Sequence, residues 1–206
     1  MASLPARPTI AFLASHNGTN MRAIVTACRD GRLRAQPVAL ISNNADSAAM
    51  AWAKQNKLAA VHISAKSAGS EAAADAAIAA TLAQYGADLV ILAGYMRKLG
   101  PETLGSFERR ILNVHPALLP KFGGKGMYGD FVHEAVLAAG EKETGASIHL
   151  VDGEYDHGAV VAQARVLVEA GDAPQTLAAR VQAKEQELFP ETLKRIIARE
   201  IDLDRL

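Results

Sequence analysis

The chain is predicted to be an α/β protein: an open, mostly parallel, twisted sheet flanked by helices, with one antiparallel strand near the C-terminal part. Three observations lead there. Short apolar runs of strand length alternate with longer amphipathic or alanine-rich stretches through the first 115 residues. The apolar half of the composition is mainly small and aliphatic, which suits close helix–sheet contacts. The last two strand candidates, 147–151 and 160–168, are too close together for a helical crossover, so they pair antiparallel.

The elements follow in order. Residues 9–14 (TIAFLA) read as a buried strand, followed by the polar turn Ser15-His16-Asn17-Gly18-Thr19-Asn20 and a helix over 21–29 that stops near Gly31. Residues 37–41 form the second strand and 48–55 a helix. A short third strand spans 61–63, and alanine-rich 71–85 is helical. The fourth strand is 88–92 (DLVIL) and the fifth 111–114. Residues 121–130 (KFGGKGMYGD) are glycine-rich, expected to be mobile, and could serve as a lid. A helix covers 131–139. Residues 174–199 form a long helical stretch expected to break or bend at Pro190. Residues 1–8 read as a flexible tail without the apolar core of a signal peptide, and 9–206 as one domain.

Composition excludes several classes. Twenty-two basic residues balance 22 acidic ones, which argues against a general nucleic-acid or membrane-surface binder. No run approaches the ~18 apolar residues of a membrane span. Cys28 is the only cysteine, so neither an intramolecular disulfide nor a cysteine-rich zinc site can form, and a reducing, cytoplasmic setting is expected.

In open α/β sheets ligands bind beyond the carboxyl ends of the strands. The loops after the first, fourth and fifth strands are therefore the places to look. Gly18-Thr19-Asn20 lies between a strand and a helix, where free backbone N–H groups and the helix dipole favour an anion. An ordinary helix cap is the competing reading. Neither a GxGxxG nor a Walker spacing is present.

Asn113 and His115 stand two apart at a strand end, so their side chains point the same way, with Val114 opposite. An amide that can donate to an oxyanion, beside an imidazole that can move a proton near neutral pH, suits acyl transfer. Asp156, in the turn Gly153-Glu154-Tyr155-Asp156-His157-Gly158, is a candidate to orient the imidazole and raise its pKa. A metal on His133, His149, Asp152, Asp156 and His157 is the rival reading. It lacks a recognised ligand spacing; His149 is equally read as a core histidine and His133 as a helix-face residue.

Five segments, taken in order, resemble the phosphoribosylglycinamide formyltransferases: Asn17-Gly18-Thr19-Asn20, Ile41-Ser42-Asn43, Leu92-Ala93-Gly94-Tyr95-Met96-Arg97, Asn113-Val114-His115-Pro116-Ala117-Leu118-Leu119-Pro120 and Gly145-Ala146-Ser147-Ile148-His149. The resemblance runs from about residue 9 to about 190. It implies a Rossmann-like formyltransferase fold and transfer of a formyl group from 10-formyltetrahydrofolate to the amine of 5-phosphoribosylglycinamide in purine biosynthesis, with no metal.

The resemblance assigns Asn113, His115 and Asp156 to catalysis. It assigns Gly18, Thr19 and Asn20 to the substrate phosphate, and Gln182 and Glu185 to the ribose side. Folate is expected along Met96, Arg97, Lys98 and Leu99, at Asn113, and along Asp152, Gly153, Glu154, Tyr155 and Asp156. The sequence departs from the family pattern in two places: the loop Gly123 to Asp130 is longer and more glycine-rich than in some members, and position 71 differs. Glu71 occupies a position where the family often has a folate-contacting arginine, and Lys66 is the candidate substitute.

Rival acceptors are methionyl-tRNA and water. The corresponding enzymes normally carry an extra C-terminal or N-terminal domain. A non-catalytic nucleotide-binding module on the same fold is the third alternative. The partners expected are small molecules, with no nucleic acid and no membrane, in a monomer or homodimer.

Overall fold

The computed structural model describes residues 4–206. Its elements are β1 (Thr9–Leu13), α1 (Thr19–Arg29), β2 (Gln36–Ser42), α2 (Ala48–Gln55), β3 (Ala59–His62), α3 (Ala65–Ala68), α4 (Glu71–Gln84), β4 (Leu89–Leu92), α5 (Pro101–Ser106), β5 (Ile111–His115), α6 (Asp130–Ala138), β6 (Glu143–Leu150), β7 (Val160–Leu167) and α7 (Pro174–Ile197). A short 3₁₀ turn, Leu203–Arg205, follows. The strands form one sheet in the order β3-β2-β1-β4-β5-β6-β7. All pairings through β5 are parallel, and β6 is antiparallel to both β5 and β7.

Alternation along β1 shows why the strands carry almost unbroken apolar runs. Ile10 and Phe12 pack on one face with α1, α2 and α7, while Ala11 and Leu13 pack on the other with α4. A parallel sheet covered on both faces has no solvent side on which to place polar residues. A third cluster, with Val136, Ala146, Val166, Leu177 and Val181, joins α6 and α7 to the β6–β7 end.

Four sequence expectations change. The long C-terminal helix does not break at Pro190; α7 runs continuously through it. A mid-helix proline costs about 3 kcal/mol. Phe189 and Leu193, which flank it, are fully buried, and burying such side chains contributes about 2 kcal/mol each. Packing therefore outweighs local propensity. β6 starts earlier than expected, because Thr144 and Gly145 pair with Val166 and Arg165 of β7 instead of forming a turn. The third strand is Ala59–His62, displaced toward the N-terminus. Helices α3 and α5 are too short for periodicity to reveal. Of the N-terminal tail, residues 1–3 lie outside the described residues, and Leu4 packs against the first core cluster.

Two loop systems position the site. β1 pairs with both β2 and β4, so the chain reverses direction across the sheet at β1, opening a crevice at the carboxyl ends of β1 and β4. Ser15 ties the loops there. Its hydroxyl donates to Asn43 Oδ1 at 2.6 Å and accepts from Met96 N at 2.8 Å. Asp75 of α4 holds the start of α5 by accepting from the N–H groups of Gly100, Glu102 and Thr103.

Candidate active site

Asn113 and His115 reach the end of β5 and face the neighbouring antiparallel strand, where Asn113 pairs with His149 and His115 with Ser147. Leu150 O lies 2.9 Å from His149 Nδ1. A carbonyl only accepts, so Nδ1 carries a hydrogen, while Nε2 lies 3.1 Å from Asn113 Nδ2. His149 thus sets the rotation of the Asn113 amide. Sequence reading left it between a core histidine and a metal ligand. It is buried among core residues and is polar-bonded at both ring nitrogens. Its link to Asn113 depends on antiparallel register, which no local pattern encodes.

His115 is 3% exposed. Its Nδ1 lies 3.3 Å from Asp156 Oδ2 and its Nε2 lies 2.7 Å from Phe122 O. Asp156 takes a left-handed conformation (φ 54°) in the loop between β6 and β7. Its Oδ2 also accepts from Gly124 N at 3.0 Å, and its Oδ1 lies 3.5 Å from His149 Nε2. Burial raises the Asp156 pKa, but His149, His115 and the Gly124 N–H together outweigh it and hold the carboxyl below its ordinary range.

For His115 the balance runs the other way. Burial depresses the imidazole pKa, and Asp156, though it pulls upward, does not reverse this. Asp156 pulls the imidazole pKa upward as expected, and desolvation is the larger effect.

The segment after Pro116 is fastened from below. Ser147 Oγ donates to Ala117 O and accepts from Leu119 N, while Gln163 Nε2 donates to Leu119 O and Ser147 Oγ. The approach to the 121–130 loop is thus tied to the body of the fold at Ala117 and Leu119. His133 is a residue of α6 on its buried face, and its Nδ1 has no hydrogen-bond partner among the described residues. Among the described residues no group of three or more His, Cys, Asp or Glu side chains is arranged to hold a metal ion.

Gly18 occupies the N-cap of α1 in a left-handed conformation (φ 59°), and no side chain caps the helix. The first backbone N–H groups of the helix, beginning at Thr19, therefore receive no side-chain cap from Gly18. A Cβ at Gly18 would lie 3.0 Å from Ala49 Cβ, so glycine is required both for the conformation and for the close approach of α2. Asn20 points inward, and its Nδ2 donates to Glu185 Oε2 of α7 at 2.9 Å. Gln182, one turn earlier on α7, is exposed.

Glu185 is buried, and burial pushes its pKa up to about 7, against the hydrogen bond from Asn20. The unfolded chain ionises this group near its ordinary 4.5. The native form therefore loses stability as pH rises from about 4.5 through about 7, and gains nothing further from protonation below 4.5. Glu185→Gln keeps an acceptor for Asn20 and removes the ionisation. Its melting temperature is expected to exceed the parent's at about pH 8, by the equivalent of about 2–3 kcal/mol, with the gap closing toward about pH 4.5. Equal differences at both pH values would show that Glu185 is charged throughout.

Met96, Arg97 and Lys98 are exposed and Leu99 is buried in the second core cluster. Lys98 joins this segment to the loop after β6: its Nζ lies 3.9 Å from Glu154 Oε1 and 5.8 Å from the centre of the Tyr155 ring. Asp152, Gly153, Glu154 and Tyr155 are exposed there, and Asp152 accepts from Glu154 N and contacts His157. A cavity of about 610 Å³ opens beside them at the carboxyl ends of β2 to β4, lined by Asn43, Lys66, Glu71, Tyr95, Arg97 and Leu99 among others. Lys66 and Glu71 thus share one wall system with Arg97, although the His115 pair lies outside it.

The family model described as formyl transferase matches residues 8–193. The chain belongs to the formyl transferase family. Among curated members of the formyl transferase family, the chain is 40% identical over 92% of its length to the chloroplastic phosphoribosylglycinamide formyltransferase of Arabidopsis thaliana. It spans 65% of that protein, just under two thirds. It is 37% identical over 88% of its length to the phosphoribosylglycinamide formyltransferase of Escherichia coli, spanning 83% of it. The crystal structure of glycinamide ribonucleotide transformylase 1 from Symbiobacterium toebii superposes with a TM-score of 0.88 at 36% identity, covering 94% of this chain and 89% of that one.

Proposed function

We propose that the chain transfers a formyl group from 10-formyltetrahydrofolate to the amine of 5-phosphoribosylglycinamide. The observation that carries this reading is the convergence of the Asn113 amide and the His115 imidazole at the end of β5, with Asp156 against the ring. The names of the relatives supply the substrate class. The uncapped start of α1 supports a phosphorylated acceptor, at Gly18, Thr19 and Asn20, with Glu185 and Gln182 on the ribose side. Folate would lie along Met96 to Leu99, at Asn113 and beside Asp152 to Asp156, two segments that Lys98 already brings together. Lys66, Arg97 and Lys98 line the cavity where Glu71 stands and are cations available to a folate carboxylate.

In this mechanism the acceptor amine attacks the formyl carbon, and the carbonyl π pair moves to oxygen. The Asn113 amide, held 3.1 Å from His149 Nε2, can donate a hydrogen to the oxyanion. Collapse of the intermediate breaks the bond to the folate nitrogen, which takes up the proton that the amine gives up. His115 carries that proton and Asp156 stabilises the ring while it does. Much of the rate gain comes from holding two substrates together.

The test is to mix the protein and formyl donor with each candidate acceptor. Absorbance change from folate release is expected with glycinamide ribonucleotide and not with methionyl-tRNA or water. Release that is independent of the ribonucleotide would replace this reading with a hydrolase or another acceptor.

A further inference from the structure

The backbone between Met96 and Gly100 is fastened at both ends by buried side chains from elsewhere in the fold. At its start, Met96 N donates to Ser15 Oγ at 2.8 Å, and the same hydroxyl donates to Asn43 Oδ1 at 2.6 Å. Ser15 is 2% exposed. At its end, Asp75 of α4 accepts from Gly100 N at 3.1 Å, Glu102 N at 2.9 Å and Thr103 N at 3.3 Å. Gly100 is pressed against that carboxylate: a Cβ there would run into Asp75 Oδ2 and Cγ. Between the two fastenings, the N–H and carbonyl groups of Arg97, Lys98 and Leu99 make no backbone hydrogen bond among the described residues. Backbone without such bonds is ordinarily mobile. Here two side chains supply the order that a ladder or a helix would otherwise give.

We propose that Ser15 and Asp75 are positioning residues that clamp the ends of this segment and hold the unpaired backbone edge of residues 97–99 rigid for the formyl donor. The inference rests on the formyl-transfer reading for the identity of that ligand, but not for the clamp itself. Backbone groups recognise a flat ligand edge only from fixed positions, and without the clamp the cost of ordering them falls on the binding step. The Ser15 hydroxyl acts on this segment more than on the loop that leads to Gly18. That loop keeps its backbone ties without the hydroxyl: Ser15 N donates to Gly94 O at 3.0 Å, and His16 O accepts from Ala49 N at 2.9 Å. Asp75 also lines the cavity offered to a folate carboxylate. As a wall charge it would repel that anion, so its removal would tighten the donor. As a clamp, its removal loosens the donor. The two roles predict opposite signs.

The experiment has two readouts. In ¹⁵N relaxation of the free protein, the amides of residues 97–99 are expected to be as ordered as regular backbone, with order parameters of about 0.85. In Ser15→Ala they should fall toward about 0.6 or below, while those of β1 and β4 stay unchanged. In steady-state kinetics, Ser15→Ala and Asp75→Asn are each expected to raise KM for the formyl donor roughly tenfold, with kcat and the acceptor KM shifting far less. Gly100→Ala, which keeps the Asp75 charge but displaces it, should act in the same direction. Mobile amides at 97–99 in the wild type overturn the proposal. So does a Ser15→Ala protein with a wild-type donor KM, whatever its melting temperature, and so does a lowered donor KM in Asp75→Asn. The wild-type relaxation data require no variant to fold and no substrate. An ordered segment in a protein that transfers no formyl group would therefore fault the functional reading and leave the clamp standing.

Discussion

His115→Ala is expected to lose kcat by roughly 10²–10⁴ while the protein stays folded, because a positioned proton carrier contributes about that much. The fold should survive because the neighbouring backbone does not depend on the ring. β5 keeps its pairing with β4 and β6, and Ala117 and Leu119 remain tied to Ser147. What is lost is local: Phe122 O loses its donor and Asp156 loses one of the groups that hold its carboxyl ionised. Asp156→Asn should fall in the same range by a different route. It leaves the ring in place but removes the charge that favours the protonated form. Because burial depresses the His115 pKa, wild-type activity should decline only as pH drops below the ordinary imidazole value of 6.5, through the lowered pKa. Steady-state turnover of both variants against pH, with circular dichroism as the folding control, checks this. Near-normal kcat in His115→Ala would remove the ring from the mechanism.

Gly145→Ala is expected to destabilise the native state by about 3 kcal/mol or more, the upper range for overpacking. A Cβ on Gly145 would run into Ala164 O on β7 and lie 2.8 Å from Leu118 Cδ2. The first contact is with sheet backbone, which cannot rotate away as a side chain can. β6 is the central strand of the three at this edge, so a shift there disturbs its pairings with both β5 and β7. For a chain of this length the melting temperature should fall by roughly 6–12 °C. A change of less than about 2 °C would mean the edge accommodates a methyl by sliding. The second contact lies next to the segment that carries Ala117 and Leu119. Turnover should therefore drop even at temperatures where the variant remains folded.

The parallel part of the fold was readable because each strand is a short apolar run followed by a helix and a polar loop. β1, β2 and β4 are bounded within a residue or so by their hydrophobic runs. Signals failed where they are short or ambiguous. α3 has four residues and α5 six, fewer than two helical turns. The expected strand began at residue 147, yet β6 starts at Glu143 and includes Gly145, where the β7 backbone passes where a side chain would be. Pro190 reads as a break or bend within a helical stretch, yet α7 runs through it, with buried residues on either side.

The sequence alone determined the α/β architecture, the strand-end pairing of Asn113 with His115, and the glycine at the start of α1. These depend on periodicity of two or 3.6 residues and on the conformational freedom of glycine, all local properties. Tertiary structure alone decided the partners. His149 reaches Asn113 through strand register, and Phe122 and Gly124 reach the His115–Asp156 pair through backbone groups that every residue possesses. Burial, which depends on the whole chain, then set the direction of the His115 pKa against the charge beside it. A carbonyl leaves no trace in a sequence, and desolvation is a property of everything packed around a group, so neither could be read before the chain was folded.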